Sequence, residues 1–473
     1  MILPGWFQWL RCTFAPALAP RWGVVSAVLL LAFAPQAAAA FCLTAPPALL
    51  PLQRQIWADP KAALAATQRA LARASAKTPA AIRHTAWLYA IEANAYSALE
   101  RGDPERAAAD RGLALGLPDG DPARLELLIQ RSKSFEATAD VEAAIRDIDA
   151  ARKLQPPRSA ANICAMSAIG VLEQNIGHPE RATPILLDAY RAAGEAGLAG
   201  QSAAIASDFS AALKRSGDID RALALNTEEI AWTTANRLTY ALANALYFRA
   251  QMLGLRHDWR GALAASRRER ALSVQLHDEQ GIGYADMGQC EALLELGEID
   301  AAAAACAAAE VPFRLDNGKM KGKVTWLEAR IALSRHDPAE AIALLDTVLD
   351  AAAAATASPI VTEAFGNRAA AHAALGNFKA AYLDLDRQSV RRTAANEAAR
   401  DRELATMRAL RFRRSGAAHC DARKRPARGQ GARPPAALPR GDAARCGGGD
   451  RRAARLYRHR QPAAPPVAAA PRG

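Results

Sequence analysis

Small residues recur in two registered columns along this chain. Alanine stands at Ala107, Ala144, Ala182, Ala222, Ala262, Ala302, Ala341 and Ala381, at steps of 37 to 40 residues. Twelve residues ahead of each stands a second small residue: Ala95, Ser132, Gly170, Ser210, Ala250, Cys290, Ala329 and Ala369. Between the columns lies a turn, clearest at Gly102-Asp103, Gly177-His178-Pro179, Gly217-Asp218, Gly297-Glu298 and Gly376-Asn377. A period of this length marks a repeat architecture, in which each unit packs mainly on its neighbours. Two antiparallel helices approach closely where a small side chain on one faces a small side chain on the other. The columns therefore predict an all-α solenoid of about eight helical hairpins, spanning residues 57–388.

Composition supports helices packed on Ala and Leu: the chain is 51% hydrophobic but only 6% aromatic. The second helix of several units opens on proline and acid, as at Pro104-Glu105, Pro179-Glu180 and Pro338-Ala339-Glu340, the residues favoured in a helix's first turn. One further helix is expected over Ala62 to Ala74, ahead of the first complete unit. After Asn377-Phe378 a charged stretch without Gly or Pro runs to Phe412. It predicts a long terminal helix, 378–412, overlapping the last repeat and suited to a connector or to self-association.

The ends differ from the array. Arg11 and Arg21 precede an apolar run from Val24 to Phe33, and Ala38-Ala39-Ala40 offers a small-x-small cleavage site, so residues 1–40 read as a signal peptide and 41–56 as a linker. Export to the periplasm is expected, or anchoring in the inner membrane if the segment stays uncleaved. The net charge of +12 lies entirely in Arg413–Gly473, which holds 14 Arg, one Lys and three Asp; the remainder is neutral. A nucleic-acid-binding protein would place that charge on a folded face, so no specific nucleic acid is expected. Residues 413–473, rich in Ala, Arg, Gly and Pro, are expected to be disordered. They read either as a basic tail or as the product of a shifted reading frame in a GC-rich gene.

The Gly-Asp and Gly-Asn turns, Gly170 and the alanine column resemble the tetratricopeptide repeat family, although the present unit is nearer 40 residues than the usual 34 and lacks most consensus aromatics. The resemblance implies a superhelix that binds protein or peptide on its concave face. Projecting the register along the first helix of each hairpin puts Tyr89, Tyr96, Lys133, Tyr247, Gln251, Tyr284, Glu291, Trp326 and Arg330 toward that face, either to recognise a partner or to pack between repeats. The stretch Arg402 to Phe412 is similar to the start of the connector in exported repeat regions of bacterial membrane-bound diguanylate cyclases. That likeness implies a sensory part of an envelope signalling protein, the alternative being a free periplasmic adaptor. Gly447-Gly448-Gly449-Asp450 lacks the acidic and aromatic continuation of the cyclase signature, with Arg451-Arg452 in its place, and is not read as an active site.

Phosphate-loop, nucleophile-elbow and zinc motifs are not found. His257-Asp258 and His336-Asp337 occupy slots that hold Gly-Asp or Gly-Glu elsewhere and read as turns; His277-Asp278 is the third such dipeptide. No enzyme activity, cofactor or metal is expected. Cys290 and Cys306 lie eight residues either side of Glu298, on opposite helices of one hairpin. They read either as a disulfide in an oxidising compartment or as two buried thiols. Cys42 and Cys164 show no partner.

Overall fold

The computed structural model describes residues 43–401, apart from 76, 138–139, 154–155, 157, 176–177, 314–319, 352–358 and 398–399. The signal segment, residues 402–412 of the terminal helix and the basic tail lie outside the described residues. Among the described residues every regular element is a helix, paired in sequence into antiparallel hairpins. The first four hairpins are α1 (Leu50–Ala58) with α2 (Pro60–Leu71), α3 (Pro79–Ala98) with α4 (Gly102–Leu113), α5 (Pro122–Ala137) with α6 (Val141–Lys153), and α7 (Ala160–Asn175) with α8 (Pro179–Glu195). Then follow α9 (Ala199–Arg215) with α10 (Ile219–Ala235), α11 (Thr239–Leu255) with α12 (Trp259–Gln275), and α13 (Glu279–Glu295) with α14 (Ile299–Phe313). The last two pairs are α15 (Lys321–Ser334) with α16 (Pro338–Ala351), and α17 (Pro359–Ala374) with a final helical stretch, α18, over 378–397. None of the described helices is long and apolar enough to cross a membrane.

The period has a simple origin in the middle of the array. Each helix from α9 to α13 has 17 residues, and three residues join each to the next. Every such linker places one residue in the left-handed region. Gly217 (φ 85°) and Gly297 (φ 80°) do so freely, whereas His257, His277 and His336 do so at φ 50–60°. The residue after it donates its N–H back to the preceding helix, as Asp218 does to Leu213 O at 3.0 Å and Asp258 to Leu253 O at 2.9 Å. This closes the orphan carbonyls of the helix end. At two of the His-Asp pairs that same residue also caps the next helix: the Asp258 side chain accepts from Gly261 N at 2.9 Å and Asp337 from Glu340 N at 3.0 Å, whereas the Asp278 side chain makes no such bond. His257-Asp258 and His336-Asp337 thus build turn and cap.

The paired columns form the hairpin contacts. Ala144, Ala182, Ala222, Ala302 and Ala341 are each fully buried, and Ala262 and Ala381 nearly so. A Cβ on Gly170 would stand 2.6 Å from Leu186 Cγ, so only glycine lets α7 and α8 approach this closely. Ser210 Oγ donates to the carbonyl of its column partner Ala222 at 2.9 Å.

Two sequence expectations are corrected. In the α3–α4 hairpin the turn is Leu99-Glu100-Arg101, with Glu100 at φ 54°, and Gly102-Asp103 already belongs to α4. Pro104 fits the first helical turn, where no N–H is needed, so it draws Gly-Asp-Pro into the helix. The column positions there become Ala93 and Glu105, both buried, while Ala107 is exposed. Residues 50–56, read as linker, lie in α1. Pro51 stands in its first turn and Gln53 anchors it, accepting from Ala45 N at 2.8 Å and donating to Leu43 O at 2.7 Å.

The array curls until its start meets its middle. The α1 helix packs on α11, with Trp57 against Leu238, Ala241 and Trp232. Arg54 donates to Asn236 O at 2.6 Å, Lys61 to His277 O at 2.6 Å, Gln280 to Glu100 Oε2 at 2.8 Å, and Tyr240 OH to Ala98 O. These contacts join segments 142 to 216 residues apart in sequence.

Candidate functional site: a closed channel on the inner face

The curl encloses a cavity of about 200 Å³, lined by α1, α3, α5, α7, α9, α10 and α11. Its apolar wall includes Trp57, Val171, Trp232 and Phe248. Facing it are Glu126, Gln130, Lys133, Gln201, Asp208 and Glu229. Glu126 and Gln130 are each 1% exposed, four residues apart on α5 and therefore on one helical face. Glu126 Oε1 accepts from Gln130 at 2.8 Å and Asn94 at 3.3 Å, leaving its Oε2 without a hydrogen-bond donor. Gln130 Oε1 and Gln201 Oε1 are also without donors, their amide nitrogens being committed to Glu126 and to Ala160 O.

Burial governs the electrostatics. It raises the Glu126 carboxyl above its ordinary value, opposed by Gln130, Lys133 and the Leu43 backbone. Burial lifts Asp208 to about 6 against the pull of Lys133 and of Ser167, whose hydroxyl donates at 3.3 Å. It lifts Glu229 to about 7 despite hydrogen bonds from Ser207 and Asn226, with Asp208 pushing the same way. Lys133 is exposed and stands at the rim. The cavity thus combines an apolar wall with three carboxylates, Glu126, Asp208 and Glu229.

Of the face residues expected from sequence, Lys133 alone lines this cavity. Tyr247 and Tyr284 meet with tilted rings, centroids 5.1 Å apart, and Gln251 accepts from Lys214 at 2.5 Å. Tyr96 OH accepts from Gln68 at 2.9 Å, and Tyr89 lies under the Arg111 guanidinium at 5.3 Å. Farther along, Glu291 pairs with Lys323 and Arg330 with Glu295, each at 2.7 Å; Arg330 covers Trp326, whose indole donates to Asn367 at 2.9 Å. Apart from Lys133, then, these residues join helices to one another.

Sequence reasoning missed Glu126, Gln130, Asp208 and Glu229. A signal was present: Leu125-Glu126-Leu127-Leu128-Ile129-Gln130 sets two polar residues at helical spacing inside an apolar run.

Cys290 and Cys306 are joined, their Cα atoms 5.2 Å apart, within reach of a bridge. Cys164 is also disulfide-bonded, which corrects its reading as unpartnered. Among the described residues no group of three or more His, Cys, Asp or Glu is placed to hold a metal ion.

No protein-family model and no curated protein matches the chain. Solved structures do. A signal transduction ATPase with numerous domains, carrying a tetratricopeptide repeat sensor, from Pyrococcus horikoshii superposes with a TM-score of 0.50 at 11% identity. The match covers 72% of this chain and 53% of that one, so the chain spans about half its length. A Rap protein complexed with competence and sporulation factor gives 0.48 at 12% identity, over 66% of this chain and 99% of that one. Aspartyl phosphate phosphatase F from Bacillus subtilis gives 0.47 at 13%, over 65% and 82%. Together with the hairpin geometry, the Pyrococcus match makes the fold a helical-repeat solenoid. More narrowly, it is a tetratricopeptide-like one.

Proposed function

We propose that this chain is a non-catalytic scaffold that holds a protein or peptide segment in its inner channel, as the exported sensory part of an envelope signalling protein. The carrying observation is the cavity that the array's own curl creates, with Glu126, Gln130, Asp208 and Glu229 in its lining. Buried polar groups without partners are costly and mark where a ligand or ordered water completes the structure. The two bridged sites, at Cys290–Cys306 and Cys164, support an oxidising compartment. The α18 helix leaves Phe378 and Tyr382 each 70% exposed, a surface suited to coupling the array to a following element or to a second copy. The kinship with sensors of membrane-bound diguanylate cyclases is part of this proposal.

A photo-cross-linking amino acid at Val171, inside the channel, is expected to capture another polypeptide in the envelope of the producing cell. The same group at Val274, exposed on α12, is expected to capture none. Equal capture at both, or capture at Val274 alone, would count against the channel as the binding face.

A further inference from the structure

The cavity's chemistry is more specific than its shape. Its lining includes the acceptor-bearing side chains of Glu126, Gln130 and Gln201. Asp208 and Glu229 add two further carboxylates, and Lys133 at the rim is the one cation among the lining side chains. An anionic ligand would meet like charge. A bare metal ion would need carboxylates gathered at one point, and among the described residues none are so gathered. Trp57 and Trp232 supply aromatic surface, which attracts a cation and accepts an alkyl stem, while the Phe248 ring already faces Lys214 Nζ at 5.0 Å. We propose that the cavity is a binding site for a cationic, donor-rich group, an ammonium or guanidinium on an apolar stem. A basic side chain of a bound peptide and a free amine share that chemistry. The inference rests on the inner channel being a binding face. Water fills the polar side of an empty cavity of this size, and the cationic group replaces it with charge-assisted hydrogen bonds.

Titration calorimetry on the full exported protein at pH 7.5, with three probes, tests this. The probes are acetyl-Ala-Arg-Ala-amide, the same peptide with neutral citrulline in place of arginine, and the free amine agmatine. The arginine peptide is expected to bind at least about tenfold tighter than the citrulline peptide, a difference of about 1.4 kcal/mol. Glu126→Gln and Asp208→Asn are each expected to weaken it about tenfold. Lys133→Ala, at an exposed site that spares the fold, is expected to tighten it severalfold by removing like charge. Lowering the pH to 5.5 protonates Asp208 and Glu229, raised by burial to about 6 and about 7, so affinity is expected to fall. Agmatine matching the peptide assigns a free amine as the source; binding of the peptide alone assigns a basic side chain.

Equal affinity for arginine and citrulline, weaker binding in Lys133→Ala, or no binding of any probe by the folded protein would overturn the inference. The cross-link at Val171 separates the two readings. Polypeptide capture there with no preference for arginine sinks the cationic site and keeps the scaffold; arginine binding without capture does the reverse.

Discussion

Gly170 and Gly194 sit two helices' faces apart in consequence. A Cβ at Gly170 collides with Leu186, itself fully buried, whereas one at Gly194 meets nothing within 4 Å. Gly170→Ala is expected to cost about 2 kcal/mol through forced repacking. Gly194→Ala is expected to gain up to about 1 kcal/mol from helix propensity. Urea unfolding of the two variants checks both signs. The channel carboxylates give a second residue-scale prediction. Glu229 is raised to about 7 and Asp208 to about 6, both by burial. The folded chain therefore holds protons that the unfolded chain has released, and stability falls as pH rises from about 4 to about 7. Burial raises Glu269 as well, and it adds to the same slope. Glu229→Gln is expected to stabilise the unliganded protein by about 2 kcal/mol above pH 7 and to flatten part of that slope. Thermal melts from pH 5 to 8 decide it; a variant less stable at pH 8 would show Glu229 to be held by partners instead.

Among the elements, the bridged hairpin α13–α14 invites the sharpest test. Cys290 stands in the small-residue column, so the bridge fastens the two helices where they come closest, across 16 residues of chain. Replacing both cysteines by alanine is expected to cost about 3 kcal/mol, read as a lower urea midpoint that reductant no longer shifts. Elements were also where the sequence read best. Period, helical class and turn positions followed from the columns because hairpin packing demands a small pair at fixed spacing. The α3–α4 turn slipped because Gly-Asp serves equally as a turn or as a helix start, and Pro104 settled it. The α1 helix was missed for another reason. It holds its place through Arg54 and Trp57 against distant parts of the chain, and such contacts leave no local pattern.

For the whole molecule the decisive feature is the seam between the first hairpins and α11–α13. Trp57→Ala combined with Arg54→Ala removes the anchor of α1 on α11 and the bond to Asn236. Small-angle scattering is expected to show a longer particle while circular dichroism keeps its helical signal. Unchanged scattering would mean that the stacking of repeats alone sets the curl. This scale also explains why the candidate site was hard to read. Residues of one hairpin share a period and are visible as a set. The channel instead collects Trp57, Glu126, Asp208 and Glu229 from three hairpins, and only the closure brings them together. Lys133 was found because it obeys the register.

A spacing of 17 helical and three linking residues makes each joint between hairpins geometrically equal to the joint within one. From α9 to α13 the backbone thus repeats with one spacing, and recombination that adds or removes two such helices would keep the register of those that remain. The seam is what counts them. One unit more or fewer would bring a different helix opposite α1, and the array would still stack but would no longer shut.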